Sequence, residues 1–205
     1  MEQNSSRRRG RPPAYDRDAV VDQAQHLFWR EGASGVSLDQ LAGATGLHKP
    51  SLYAAFGGKA GLYVAALDAY IGRGAPDVSG ALALAPLAAA LEAFFAADLD
   101  VFCGREGRRG CFLIGTAIEA AADSEAVRER VEMVFAGLRR TLRARVDRAV
   151  AEGDLPGDVD GEAVAEILFA THTALAVEAR AGATRQALCD RYRSVIRLLT
   201  TLRAP

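Results

Sequence analysis

Apolar residues recur along most of this chain at intervals of three or four positions, which is the spacing of amphipathic helices. Glycine, proline and aspartate separate these segments, and no segment shows the alternation of a half-buried strand. The pattern predicts an all-α fold of about nine helices. They are expected at about 16–31, as two short helices within 37–56, from Lys59 to about Gly72, and at about 86–103, 111–122, 124–152, 160–181 and 184–202.

The segment 37–56 has the spacing of two short helices that cross at a steep angle. Ala42 is small enough to let the helices approach, and Gly46 adopts a positive φ at little cost where the chain must reverse. Ser37 and Gln40 have the spacing of a capping box. Three leucines are expected to seal the contact: Leu41, Leu47 and Leu52. The pattern predicts a helix-turn-helix that reads DNA; an αα-hairpin with no role in DNA binding is the alternative.

A basic arm precedes the first helix, since residues 7–13 read Arg-Arg-Arg-Gly-Arg-Pro-Pro. The arm has no apolar side chain that could fold it onto a core, so residues 1–15 are expected to be flexible. Its Arg-Gly-Arg-Pro sequence resembles the AT-hook, which would place Arg9 and Arg11 in a narrow minor groove. A solvated tail or a localisation signal is the alternative, but the position before a helix-turn-helix favours DNA.

Charge is distributed unevenly along the 205 residues. Residues 1–60 carry eight Lys and Arg against six Asp and Glu, whereas the whole chain carries 25 against 26. A net charge of −1 excludes a general polyanion binder, so DNA affinity must come from a localised surface. A non-specific architectural protein, which binds through the arm and the deformability of DNA, is the alternative function.

Other classes of protein lack their sequence signatures here. The three cysteines form no Cys-x-x-Cys pair, so no disulfide framework, metal site or cofactor is expected. The sequence has no Glu-x-x-His pair of a di-iron bundle, no phosphate-binding glycine loop and no nucleophile elbow, which argues against an enzyme. No apolar run could span a bilayer and no signal peptide is evident, so we expect a soluble, cytoplasmic protein without a membrane partner.

Residues 73–80 contain two glycines and a proline and predict a boundary between two parts of the chain. The first part is the helix-turn-helix domain, 16–72, and the second is a larger helical domain, 81–205. Three helix N-caps are predicted in the second part: Ser124, Asp160 and Thr184. The helix after Ser124 carries an arginine-rich surface, which is expected to be a solvated face rather than a second nucleic-acid site: Arg139, Arg140, Arg143, Arg145 and Arg148.

The predicted helix at 160–181 is apolar on most of its surface, with its polar residues mostly confined to one narrow arc. Such a helix must be covered on most sides. One stripe, with Val164, Leu168 and Leu175, can face the domain core and the other a second copy of the chain; two helices from each copy would form a four-helix bundle. The predicted dimer residues are Ala163, Ile167, Ala170, Ala174 and Val177 on this helix and Leu188, Tyr192, Val195 and Leu199 on the next.

The stretches from Gly35 to Ala42 and from Gly46 to Lys59 closely resemble the DNA-binding segment of the tetracycline-repressor-like (TetR) family of bacterial transcription factors. Residues 109–115, together with Glu119, are similar to one branch of that family. The resemblance extends over nearly the whole chain. It implies a homodimer that binds double-stranded DNA, a C-terminal domain with a ligand pocket, and repression that an unknown small-molecule effector relieves.

The resemblance also implies roles for residues on the second helix of the motif. Lys49 and Tyr53 would grip phosphates, as would Lys59 from the start of the next helix. Ser51 would reach a base edge. His48 stands where the family usually has a Ser or Thr cap, and a neutral histidine caps a helix less well. No Arg, Asn or Gln on this face could make a bidentate base contact, so thymine methyls and the minor-groove arm are expected to supply specificity. The predicted DNA-contacting residues are Arg9, Arg11, Ser37, His48, Lys49, Pro50, Ser51, Tyr53, Ala54 and Lys59, with Pro50 or Ala54 at the thymine methyls.

Candidate effector contacts lie in two segments. His172 is an isolated polar residue on the apolar helix at 160–181, where a hydrogen-bonded structural histidine is the usual case and a contact to the effector is the functional alternative. Cys111 follows Arg108, Arg109 and Gly110 at a predicted helix start. A small packing residue is the expected role; the alternative is that positive charge there lowers the pKa of the thiol and makes it an electrophile sensor. The predicted effector-contacting residues are Cys111, Thr116, Glu119, Thr171, His172 and Glu178.

Overall fold

The computed structural model describes residues 15–104, 109–119 and 124–201, and these ranges hold nine α-helices and no strand. The all-α prediction is confirmed. Within these ranges no helix has both the length and the apolar character needed to cross a membrane. The helices are α1 (Arg17–Gly35), α2 (Leu38–Thr45), α3 (Lys49–Phe56), α4 (Lys59–Leu82), α5 (Leu87–Cys103), α6 (Phe112–Glu119), α7 (Glu125–Ala151), α8 (Gly161–Ala181) and α9 (Arg185–Thr201).

The first helix supports the helix-turn-helix. α1 begins after Asp16, whose carboxylate accepts hydrogen bonds from the backbone N–H groups of Asp18 at 2.9 Å and Ala19 at 3.2 Å. α1 packs against α2, α4 and α6, so it lies between the helix-turn-helix and the rest of the chain. Its predicted apolar face is buried: Val20, Ala24, Leu27 and Phe28.

The helix-turn-helix forms as predicted. Ser37 Oγ accepts a hydrogen bond from the N–H of Gln40 at 3.2 Å, and Gln40 Oε1 accepts one from the N–H of Ser37 at 2.8 Å. Gly46 ends α2 with a φ of 67°, the left-handed conformation that the reversal requires. Leu41 and Leu52 are fully buried between the helices, and Leu47 is partly buried against the same core. The capping box, the turn and the sealed interface are therefore confirmed.

The fourth helix is longer than predicted. α4 continues to Leu82, so the predicted end of this helix near Gly72 is wrong. Arg73 is held by α1, where its Nη1 lies 3.2 Å from Asp22 Oδ1, and Leu82 is buried in the core. These tertiary contacts on either side of the segment outweigh the weak helix propensity of its glycines. The division into two domains stays a prediction, with a continuous helix running across its proposed boundary.

Helices α5, α7, α8 and α9 pack against one another in the second half of the chain. Asp160 accepts hydrogen bonds from two backbone N–H groups at the start of α8, at 3.0 and 3.1 Å. Thr184 accepts one at the start of α9, at 3.2 Å. Both N-cap predictions are confirmed. Ser124 precedes α7 as predicted, but its side chain makes no capping hydrogen bond.

The arginines of α7 are mostly paired with carboxylates. Arg139 and Arg143 each bond a glutamate of α8, at 2.7 and 2.9 Å. Arg139 also lies over the ring of Phe169, 3.7 Å from its centroid. Arg145 differs from the predicted solvated face, because it is only 3% exposed and donates to the carbonyl of Leu84 at 3.1 Å. Its guanidinium holds the connection between α4 and α5 and is not available to nucleic acid.

Candidate DNA interface and adjoining cavity

The second helix of the motif, α3, presents one face to solvent. Leu52 and Phe56 point inward, with 0% and 9% of their surfaces exposed. Tyr53 is 55% exposed on the opposite side. Lys59 is half-buried at the start of α4, and Arg9 and Arg11 lie outside the described residues. The other predicted DNA contacts are all exposed: Ser37, His48, Lys49, Pro50, Ser51 and Ala54.

α3 starts without a side-chain cap. His48 occupies the N-cap position in an extended conformation, with φ −69° and ψ 150°, and its imidazole makes no capping hydrogen bond. Pro50 follows in the first turn, where its missing N–H removes one unpaired donor. The expected weakness of His48 as a cap agrees with this geometry. The remaining uncapped N–H groups suit this end of α3 to an anion such as a DNA phosphate.

Lys49 has a partner within the protein. Its Nζ lies 2.7 Å from Oδ1 of Asp39, which stands in the first turn of α2. Both side chains are well exposed, at 48% and 79%. A phosphate that binds Lys49 must therefore compete with this carboxylate. Sequence reasoning did not find the pair, because the two residues meet only through the crossing of α2 and α3.

A cavity of about 120 Å³, partly open to solvent, lies between α1, α4, α6 and α8. Phe28 and Tyr63 meet edge to face with ring centroids 4.8 Å apart, and Tyr63 meets Phe112 at 5.6 Å. The cavity thus contacts both the helix-turn-helix half, through α1 and α4, and the second half, through α6 and α8. Its apolar wall comprises Phe28, Trp29, Tyr63, Phe112, Ile114, Ile118, Ala176 and Val177.

Three predicted effector residues line this cavity: Cys111, Thr116 and Glu119. Thr116 is buried and donates to the carbonyl of Phe112 at 2.7 Å, so its Oγ1 accepts from the Tyr63 hydroxyl, also at 2.7 Å. Burial raises the pKa of Tyr63, which keeps this hydroxyl protonated. The carboxylate of Glu119 lies against Gly32 of α1. These contacts join α6 to both helices of the DNA-binding half that border the cavity.

The other three predicted effector residues are placed away from the cavity, which corrects the prediction. His172 is buried, with Nδ1 2.7 Å from Asp98 Oδ2 and its ring stacked on Phe94, so it fits the hydrogen-bonded structural histidine that is the usual case. Thr171 donates to a carbonyl within α8, and Glu178 pairs with an arginine of α9. Successive residues on a helix point about 100° apart, so neighbours of His172 in sequence face other surroundings.

Cys111 does not have the environment of a reactive thiol. Its side chain is buried, and its Sγ lies 3.3 Å from the hydroxyl of Tyr70. Burial raises the pKa of the Cys111 thiol, and this outweighs the hydrogen bonds that favour the thiolate. The alternative of an electrophile sensor with a lowered pKa is therefore not supported. The observed surroundings fit the expected packing role.

Sequence reasoning missed the contribution of Trp29 and Arg180 to the cavity wall. Trp29 belongs to the apolar face of α1, so the sequence pattern predicts a buried residue but cannot show that this residue lines a cavity. Arg180 stands near the end of α8, where a solvated basic residue is ordinary. The two residues are 151 positions apart, so no spacing in the sequence connects them.

The apolar stripe predicted for the dimer is exposed on α8. Ile167 and Val177 are 43% and 44% exposed. The alanines of the stripe are exposed as well: Ala163, Ala170 and Ala174. The adjacent stripe is buried in the chain's own core: Val164, Leu168 and Leu175. This division of α8 into an inner and an outer stripe is as predicted.

The dimer residues predicted on α9 need correction. Leu188, Tyr192 and Leu199 are at most 1% exposed and pack into their own chain, where the Tyr192 ring stacks on Phe95 with centroids 5.3 Å apart. Val195 is half-buried. α5 and α8 cover the apolar face of α9, so that face is not available to a partner. The outer face instead presents Leu198, which is 56% exposed.

Comparison with known proteins identifies the family. Residues 20–66 match the model "Bacterial regulatory proteins, tetR family", and residues 88–196 match "Tetracyclin repressor-like, C-terminal domain". The chain is also 34% identical over 192 residues to the HTH-type transcriptional repressor ComR of Escherichia coli (strain K12), which covers 93% of this chain and 91% of ComR. This chain belongs to the TetR family. It is a DNA-binding transcriptional regulator, and its relatives are named as regulators rather than as enzymes.

Solved TetR-family structures agree over nearly the full length. A cysteine mutant of the regulator CifR, complexed with 26-bp operator DNA, superposes with a TM-score of 0.82 at 34% identity, covering 91% of this chain and 98% of CifR. A second CifR mutant bound to operator DNA gives 0.83 at 33% identity, covering 93% and 100%. The TetR fold and the predicted helix-turn-helix at its N-terminal end are therefore confirmed.

Proposed function

We propose that this TetR-family regulator acts in the cytoplasm as a homodimer, represses transcription at a palindromic operator, and is released by a small-molecule effector. The observation that carries the proposal is the division of exposed surfaces between two helices. α3 exposes its polar and aromatic face, whereas α8 exposes an apolar stripe that a second copy would cover. A two-fold dimer built on α8 presents two copies of α3 to successive turns of the major groove.

Phosphate contacts position the protein on its operator. Lys49, Tyr53 and Lys59 supply these contacts, and the uncapped start of α3 adds backbone N–H donors. Ser51 reaches a base edge, and Pro50 and Ala54 suit thymine methyl groups. Since the described part of this face has no Arg, Asn or Gln for a bidentate contact, Arg9 and Arg11 add discrimination by reading minor-groove width.

The effector occupies the cavity between α1, α4, α6 and α8. Its aromatic and aliphatic wall favours a largely apolar molecule. An effector there contacts α1 and α4 on one side and α6 and α8 on the other, so it can bias how the two halves of the chain are arranged. A coupling of about 1 to 3 kcal/mol between the effector and DNA is ordinary for such systems.

Fluorescence anisotropy tests this function. The purified protein is titrated into the DNA upstream of its own gene and into a shuffled duplex, across a salt series. A preference of about 10³-fold or more is expected for a specific operator. Equal affinity for both duplexes, with a steep salt slope, favours the non-specific architectural alternative at this DNA. A library of random duplexes then shows whether the protein selects any sequence at all.

A further inference from the structure

The first helix is interrupted at Gly32, whose φ of 77° and ψ of 161° are not helical. A helix that breaks there leaves its last carbonyl oxygens without the donors of a following turn. Arg180 of α8 bonds two of them: Nη1 donates to the carbonyl of Trp29 at 2.8 Å, and Nη2 to that of Arg30 at 3.2 Å. Its positive charge also lies at the negative end of the α1 dipole. Arg180 is therefore a cap for α1 supplied by a distant helix.

The segment before α6 belongs to the same junction. Trp29 Nε1 donates to the carbonyl of Arg109 at 2.9 Å, and the guanidinium of Arg109 lies 4.4 Å from the centroid of the Trp29 ring. Arg180 Nη1 is 3.5 Å from the same Arg109 carbonyl. All three side chains line the cavity between α1, α4, α6 and α8. The contact that holds α1 to α8 is thus also part of the cavity wall.

The two helices joined by Arg180 have different surroundings. α1 packs against α2 and α4 and so carries the helix-turn-helix. α8 carries the exposed apolar stripe, and Val177 of that stripe stands three residues before Arg180. Any displacement of α1 relative to α8 in a dimer changes the separation of the two α3 helices. A two-fold reader of the major groove tolerates little such change.

We propose that Arg180 is a positioning residue: its paired hydrogen bonds to α1 set the separation of the two recognition helices, and thereby the half-site spacing that the dimer accepts. The inference rests on the proposed binding of an operator by a dimer. Two neighbouring carbonyl groups need two donors held in one plane, which a guanidinium provides and a lysine ammonium does not. Arg180 acts through α1 and has no contact with DNA of its own in this scheme.

A spacing series tests the inference. Operators selected from random duplexes by the full-length protein are rebuilt with their half-sites moved together or apart by one and two base pairs, which shifts each step by about 3.4 Å. Anisotropy gives the affinity of the wild-type protein, Arg180→Ala and Arg180→Lys for each duplex, and thermal unfolding reports on the fold. Arg143→Ala is the matched control, since Arg143 pairs with carboxylates of α7 and α8.

At the two-base-pair offsets we expect the operator affinity of the wild-type protein and of Arg143→Ala to fall by about tenfold or more. The operator affinity of Arg180→Ala should fall by less than about threefold. A difference of this size is ordinary for two linked sites. Arg180→Lys should fall between the wild type and Arg180→Ala. A spacing profile of Arg180→Ala that matches the wild type overturns the inference. If Arg180→Ala does not fold, the spacing profile of Arg180→Lys is compared with that of the wild type, and a match between them overturns the inference. A wild-type protein with no spacing preference overturns this inference alone, whereas no preference for any sequence over shuffled DNA overturns the proposed function too.

Discussion

The helix-turn-helix and the junction of α1 with α8 both depend on hydrogen bonds at helix ends, but across different sequence distances. The cap of α2 joins Ser37 to Gln40, three residues later, whereas the bond from Arg180 to Trp29 joins residues 151 positions apart. The first contact forms within a single helical turn. The second exists only when the intervening helices have packed. Local sequence therefore defines the DNA-reading surface, and the whole fold defines how that surface is oriented.

The largest effect is expected at Gly61, where α3 approaches α4. A Cβ at this position would lie 1.7 Å from the Phe56 carbonyl oxygen, so Gly61→Ala must separate the two helices. We expect the free energy of unfolding to fall by about 3 kcal/mol in urea denaturation. Gly72→Ala is the control, because no atom lies within 4 Å of its Cβ. If Gly61→Ala and Gly72→Ala change the free energy of unfolding by similar amounts, helix propensity determines the effect at Gly61 and the close approach of α3 to α4 does not.

The outer face of α8 comes next. Ile167 is 43% exposed, so Ile167→Glu should leave the stability of one chain nearly unchanged while it places charge in the proposed dimer interface. We expect dimer association to weaken by on the order of 100-fold in sedimentation equilibrium, the effect of losing a central interface residue. Leu84→Glu, at an exposed position between α4 and α5, is the control. Unchanged association of Ile167→Glu would remove α8 from the interface.

Lys49 and Asp39 allow a double-mutant cycle on the DNA-reading surface. Lys49→Ala should lower operator affinity about tenfold and reduce the salt slope by about one phosphate contact. Asp39→Asn should raise affinity about twofold to threefold, since it releases Lys49 from an exposed ion pair. Anisotropy of the double variant completes the cycle. If Asp39→Asn raises operator affinity by the same factor in the Lys49→Ala background, its effect comes from the overall charge of the surface and not from the ion pair with Lys49.

The caps of α2 and α3 provide a smaller and strictly local comparison. Ser37→Ala removes the capping box and should cost about 1 kcal/mol of unfolding free energy. His48→Ser should stabilise by about 0.5 kcal/mol, because serine can accept a hydrogen bond from the start of α3 where the imidazole makes none. Urea denaturation measures both. A His48→Ser protein as stable as the wild type would mean that a side-chain cap is not accessible beside Pro50.

The smallest effect is expected at Glu92, in the second half. Hydrogen bonding to Arg193 lowers the pKa of Glu92, and the Tyr192 hydroxyl donates to the same carboxylate at 2.9 Å. A carboxyl with a depressed folded pKa adds stability above its unfolded pKa and loses it as the pH falls through the folded pKa. Glu92→Gln should therefore be less stable than the wild type at pH 7, with the difference shrinking as the pH falls from about 4 through the depressed folded pKa. A difference that stays constant as the pH is lowered from about 6 to about 2 would point to shape instead of charge.

The contrast between contacts within one helical turn and contacts between distant helices explains what could be predicted from sequence. Ser37, Gln40 and Gly46 act on their immediate neighbours, so their spacing was sufficient to predict the helix-turn-helix. Residues 73–80 are compatible with a loop or a helix, and contacts of α4 with α1 and α5 select the helix. The apolar face of α9 could likewise cover a core or a partner. In the structure this face packs against the core of its own chain, where Tyr192 stacks on Phe95.

The candidate site divides in the same way. The exposed face of α3 follows from the inward direction of Leu52 and Phe56, which helical periodicity supplies. The cavity does not follow from any periodicity, since its wall combines four helices and includes Arg180. Cys111 shows the limit most directly. Nearby arginines in sequence suggested a lowered thiol pKa, but the depth of burial, which only the tertiary structure determines, reverses the shift.

The ion pair between Lys49 and Asp39 has a consequence for how quickly the regulator finds its target. On arbitrary DNA a phosphate must displace the Asp39 carboxylate before it gains Lys49, and the base contacts of the operator are missing. Each encounter with the wrong sequence is therefore brief. A regulator that leaves wrong sequences quickly samples more of the genome in a given time. By weakening binding to every DNA sequence, the Asp39 carboxylate thus shortens the search for the operator.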